Sequence, residues 1–139
     1  MTLNHEDRAL LGALADVLIP SGSGMPSASQ AGVSGPWLDH VLAARPDLAA
    51  GLRDLLDNSR GRDAAAVIAA LQTDDPAAFG VLAEIVPAAY FMNPEVRQAI
   101  GYSGQGPRSI DPHPDYLDDG LLESVISRGP IYRPTPKPN

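Results

Sequence analysis

The chain contains no cysteine, which excludes disulfide staples, iron–sulfur ligation and thiolate zinc sites. Aromatic side chains are also scarce, at 5% of residues. A core must therefore be assembled mostly from alanine, leucine and valine, a composition suited to closely packed helices. Strand-type alternation and repeats of fixed period are absent. No apolar run approaches the length of a membrane span. Positive charge is thin as well: 10 Lys and Arg stand against 17 Asp and Glu, a net charge of -7. The basic residues are scattered along the chain. Phosphate backbones and anionic lipid would be repelled by such a surface, so neither nucleic-acid binding nor membrane association is expected. The N-terminal residues Met1 to Arg8 lack the basic start and continuous apolar run of a signal peptide, and the expected location is cytoplasmic.

What is present reads as helix. Hydrophobic residues make up 44% of the 139 residues, enough for one all-α domain. Asn4 with Glu6 and Asp7 opens a first helix over residues 5–19, whose face carries Leu10, Leu11, Leu14, Val17 and Leu18 and which Pro20 stops. Residues 21–35, rich in Ser and Gly, read as a long flexible connector. A second helix starts at Pro36, a third carries Leu48, Leu52, Leu55 and Leu56, and a fourth spans residues 63–71. Asp75-Pro76 is the clearest helix start: a capping carboxylate followed by proline. The helix behind it carries one charge, Glu84, and is expected at the centre of the domain, with Pro87 kinking or ending it. Asn93-Pro94 repeats the device and opens a short helix that ends at Ile100, with Gly101 as a left-handed cap. A last helix over residues 118–127 carries Leu121, Leu122, Val125 and Ile126. The expectation is a compact bundle of about six or seven short helices, with residues 1–128 as the helical domain and 129–139 as an extended proline-rich tail.

Candidate reactive groups are few. Asp111-Pro112-His113-Pro114-Asp115 has metal-ligand residue types, but its prolines fix an extended chain and throw alternate side chains apart. His40 reads as a helix-surface histidine and His5 as exposed. Glu84, if buried, would be a proton donor or acceptor; the plainer reading is a wet stripe or an arginine pair. Serines are plentiful, but none sits in a Gly-x-Ser-x-Gly elbow. No catalytic, cofactor-binding or metal-binding residue is assigned. A stand-alone enzyme or ligand module would have to use Glu84, His40 or residues 111–115. A helical adaptor for a basic partner surface is a third reading, suggested by the acidity.

The segment Tyr90-Phe91-Met92-Asn93-Pro94-Glu95-Val96, followed by Ile100-Gly101-Tyr102-Ser103-Gly104, has the chemistry of packing and shape. Its aromatic and thioether side chains are core residues or interface anchors. This series resembles the hallmark of the gluconate 2-dehydrogenase subunit 3 family. So do Leu14-Ala15-Asp16-Val17-Leu18-Ile19-Pro20, Pro26-Ser27-Ala28 and Ala31-Gly32-Val33 near the start. The resemblance covers the chain to about Pro107. It implies a small subunit without catalytic residues, bound to a large FAD-dependent dehydrogenase of the glucose–methanol–choline (GMC) oxidoreductase type. In that family the large subunit holds FAD and oxidises a sugar, sugar acid or polyol, and the small one assists its folding, stability or export. Many members carry a twin-arginine export signal; this chain shows none, so a periplasmic location is expected only by co-export with the partner. The residues expected at or just beneath the interface are Tyr90, Phe91, Met92, Tyr102, Ile131 and Tyr132.

Overall fold

Asn4 and Asp7 begin the fold by capping each other. The Asp7 N–H donates to Asn4 Oδ1 at 2.8 Å and the Asn4 N–H to Asp7 Oδ2 at 3.1 Å, a reciprocal capping box. The computed structural model describes residues 3–106 and 119–131. Among these it contains seven helices and no strand: α1 (His5–Leu18), α2 (Pro36–Ala44), α3 (Leu48–Ser59), α4 (Ala64–Asp74), α5 (Pro76–Met92), α6 (Pro94–Ala99) and α7 (Glu123–Arg128). The all-α architecture is the expected one. The chain divides into two compact units, Met1–Gly104 and Gln105–Asn139, a division that falls ahead of the start of the proline-rich tail.

In the first unit α5 is the central element. It packs against α2, α3, α4 and α6, while α1 packs against α4 and α3. Leu82, Ile85, Val86, Ala89 and Tyr90 of α5 are buried, as expected for a helix apolar on nearly all sides. Leu11 and Leu14 of α1, Leu38 of α2, Leu52 and Leu56 of α3 and Val67 of α4 complete the fully enclosed core. Gly51 allows α3 and α5 to approach: a Cβ there would lie 3.0 Å from Val81 Cγ2. Asp63 and Asp75 cap α4 and α5 through Ala66 N–H and Ala78 N–H, at 2.9 and 3.0 Å.

Pro87 does not end α5, which runs through it to Met92 and stops at Asn93. Neighbouring helices hold the chain on both sides of this residue, and their burial outweighs one missing backbone bond. α4 extends to Asp74, beyond the expected stop at Leu71, because it is carried up to the next cap, Asp75.

The long loop is the larger correction. Residues 21–35 form an ordered strap with its own buried side chains, Ser27, Ala28, Ala31 and Val33. Ser23 and Gly24 have φ of 50° and 81°. Gly22 and Met25 exchange two backbone bonds across them, at 3.1 and 2.8 Å. This is the left-handed pattern of a tight hairpin turn. The Ala28 N–H donates to Ile19 O, and the Val33 N–H to Ala28 O, each at 3.0 Å. Arg8 closes the far end, donating to Ser34 O at 2.7 Å and pairing with Asp39 at 2.7 Å.

Asp16 fastens the strap to α1. Its carboxylate accepts from the Ser29 N–H at 2.7 Å and the Ser29 hydroxyl at 2.6 Å. Burial alone would raise this carboxyl, but the Ser29 hydroxyl, the Ser29 N–H and the Ser27 hydroxyl outweigh it and hold it below the usual range. Asp7 behaves alike: burial is outweighed by the Asn4 N–H and the Arg60 guanidinium. A carboxyl depressed in the fold stabilises it above the unfolded value, here 3.8, and that contribution fades as pH falls through the lower folded value. The melting temperature should therefore hold from neutrality down to about pH 4 and drop below it. Asp16→Asn should melt lower than the parent at pH 7 and lose less on acidification. Parallel acid profiles for the two proteins would show that Asp16 does not carry this dependence.

The second unit is described through residues 119–131. α7 begins at Glu123, later than the expected start, and ends at Gly129. No residue of α7 is buried. Leu121, Val125 and Ile126 are exposed, and Leu122 is half-buried.

Candidate partner-binding site

The corner where α5 passes into α6 is built from a polar knot below and an apolar surface above. Tyr90, in the last turns of α5, is 3% exposed, and its hydroxyl donates to Pro26 O at 2.7 Å. Asn93 accepts from the Glu95 N–H at 2.8 Å, which caps α6, and donates through Nδ2 to Ala31 O at 3.0 Å. One side chain thus starts a helix and ties it to the strap. Val96, fully buried, seats α6. The strap and the α5–α6 corner meet here, through Pro26 and Ala31 on one side and Tyr90 and Asn93 on the other.

Above the knot, Phe91, Met92, Ile100 and Tyr102 are 48%, 36%, 51% and 47% exposed. The Phe91 and Tyr90 rings meet edge to face, with centroids 5.3 Å apart and an angle of 86°, so the half-exposed Phe91 is backed by a core side chain. Gly101, at φ 72°, turns the chain after α6 in the left-handed region that glycine adopts without a Cβ penalty. The Gly101 N–H donates to Gln98 O at 2.9 Å and the Tyr102 N–H to Arg97 O at 2.8 Å. These two bonds fix the turn that presents Tyr102. Beside it lies a cavity of about 430 Å³ lined by Pro94, Arg97, Gln98, Gly101, Tyr102 and Ser103.

Of the residues expected at an interface, Phe91, Met92 and Tyr102 are exposed and Tyr90 is buried. Ile131 is exposed in the second unit. Tyr132 and residues 111–115 lie outside the described residues. Arg97 was not singled out by the sequence, and Ile100 was named there as the end of a short helix and within the family-like series but not as an interface residue.

The possible reactive groups do not converge. Glu84 is exposed and pairs with Arg45 at 2.7 Å, and Arg45 also holds Asp47 at 2.7 Å. His40 is exposed, its Nδ1 2.8 Å from Pro36 O and its ring 5.9 Å from Trp37. Among the described residues no group of three His, Asp or Glu is placed to hold a metal ion. None of the described helices is long and apolar enough to cross a membrane. A second depression of about 560 Å³ lies among α3, α4 and α5, with Leu55, Val67, Leu71 and Val81 in its lining and Asp54, Asp74, Asp75 and Arg62 around them. Comparison of the chain with known protein families, curated proteins and solved structures found no match in any of the three.

Proposed function

We propose that this chain is a small, non-catalytic subunit that binds, and stabilises or helps to fold, a larger FAD-dependent dehydrogenase of the GMC type acting on a sugar, sugar acid or polyol. The observation that carries this reading is the exposure of Phe91, Met92, Ile100 and Tyr102 around the α5–α6 junction, which Tyr90 and Asn93 tie to the strap. Aromatic and thioether side chains anchor protein interfaces, and a preformed scaffold lowers the ordering cost of binding. The exposed Leu121, Val125, Ile126 and Ile131 of the second unit offer further apolar contact. FAD belongs to the partner in this reading.

The test is to express the chain together with the flavoprotein encoded beside it and to follow protein and flavin absorbance through size-exclusion chromatography. Elution as one yellow species is the expected result. Separate elution of a colourless small protein and a stable, active flavoprotein would overturn the reading. The acidic setting of the α3–α5 depression favours a second reading, a helical adaptor for a basic surface, whose binding would fall steeply with added salt.

A further inference from the structure

α3 and α4 find their main neighbours in α5 and α1 rather than in each other, and the depression of about 560 Å³ lies between them. α4 lines it with Val67, Ala70, Leu71 and Asp74, which share one helix face, and α3 with Asp54, Leu55 and Asn58. Ala78 and Val81 come from the first half of α5. Leu55 and Val67 are buried, whereas Ala70, Leu71, Ala78 and Val81 keep part of their apolar surface uncovered. The lining along α4 runs for about two turns of helix. Its charge is one-sided: Asp54, Asp74 and Asp75 stand against Arg62 alone. Asp75 is engaged in capping α5, but Asp54 and Asp74 enter none of the ion pairs that join the described helices.

We propose that this groove seats a short amphipathic, basic helix of a partner protein. Its apolar side chains, spaced i, i+3 or i+4, would rest on Ala70, Leu71 and Val81, and flanking Lys or Arg would meet Asp54 and Asp74. An apolar helix face laid into a groove is a recurrent mode of recognition, and charges at the rim fix orientation and partner choice. A second copy of this chain does not supply such a helix. Its exposed apolar helix, α7, carries Val125 and Ile126 but is led by Asp119 and Glu123, and each copy has a net charge of -7. This inference rests on the second reading above, the adaptor for a basic surface, and is independent of the flavoprotein one.

The experiment uses the full chain labelled with nitrogen-15, titrated at low salt with two capped peptides of Leu, Lys and Ala. In one, Leu recurs at i, i+3, i+4 and i+7; in the other the same residues are scrambled. Spermine serves as a cation without an apolar face. The amphipathic peptide should give saturable shifts in the backbone amides of residues 51–62, 67–75 and 77–81, and bind at least about tenfold more tightly than either control. Asp54→Asn combined with Asp74→Asn should weaken it about tenfold. Ala70→Arg, which puts bulk and positive charge into the groove, should abolish binding; the paired asparagine variant lies on the surface and serves where the arginine variant does not fold. Equal binding of the scrambled peptide or of spermine overturns the helix and leaves the adaptor reading standing, whereas flat titrations with all three overturn both. Shifts confined to the α5–α6 corner also overturn the groove. Sedimentation as a dimer that Ala70→Arg dissociates would give the groove to a second copy and overturn its assignment to another protein.

Discussion

Truncating Tyr90 to alanine should cost the first unit about 3–5 kcal/mol, the range for removing a large buried ring. Few side chains in the chain do as much at once. The ring fills the core at the end of α5, supports Phe91 from below, and carries the hydroxyl that holds the strap at Pro26 O. Domains of this kind have only about 5–15 kcal/mol of stability in total, so the variant should be partly unfolded near body temperature. Tyr90→Phe separates the two roles. It keeps the ring and removes only the hydroxyl, leaving a carbonyl short of a partner, and should cost about 1 kcal/mol. Urea denaturation followed by circular dichroism measures both. Equal midpoints for the alanine variant and the parent would mean that the corner is not supported as described.

Tyr102→Ala should have the opposite profile: helix content and urea midpoint close to the parent, but assembly with the proposed flavoprotein partner weakened by about 2 kcal/mol or more, the scale of an interface hot spot. The side chain is half exposed, and the turn that presents it is closed by backbone bonds alone, so its removal opens no cavity in the core. Phe91→Asp places a charge on the same surface and should weaken assembly at least as much. Unchanged co-elution of both variants with the flavoprotein would remove this corner from the interface. Loss of helix content in either would reassign it from docking to folding.

The helices were legible because their boundaries are written locally. Asn4, Asp75 and Asn93 each supply the cap that the sequence announces, Asp63 caps α4 where the sequence had it as the first helical residue, and α5 is central because almost nothing on it needs water. The strap was not legible. Its Ser and Gly content reads as flexibility, whereas its order comes from partners elsewhere in the sequence: Asp16, Tyr90, Asn93 and Arg8. Asp16 on an otherwise apolar stretch of α1 was the one local hint, an acid with a reason to stay. In α7 the apolar pattern announced a helix, but the pattern alone does not say whether that face is covered, and Leu121, Val125 and Ile126 are exposed. Residue types drew attention to the α5–α6 corner, but Tyr90 and Phe91 are adjacent in sequence and indistinguishable there in role. Only their opposite burial assigns one to support and the other to the surface.

The knot between the strap and the α5–α6 corner also sets an order in time. Pro26 and Ala31 wait for partners that lie 64 and 62 positions further on. While the chain is being made, α1 can form as it leaves the ribosome, and the strap then has only its bonds to Arg8, Asp16 and Ile19 until Tyr90 and Asn93 have emerged. Joining ends so far apart carries an entropic cost that local helix formation does not. Locking of the strap is therefore a late event, and nascent chains halted before Asn93 should be cut by protease within residues 21–35, while those that include α6 should resist.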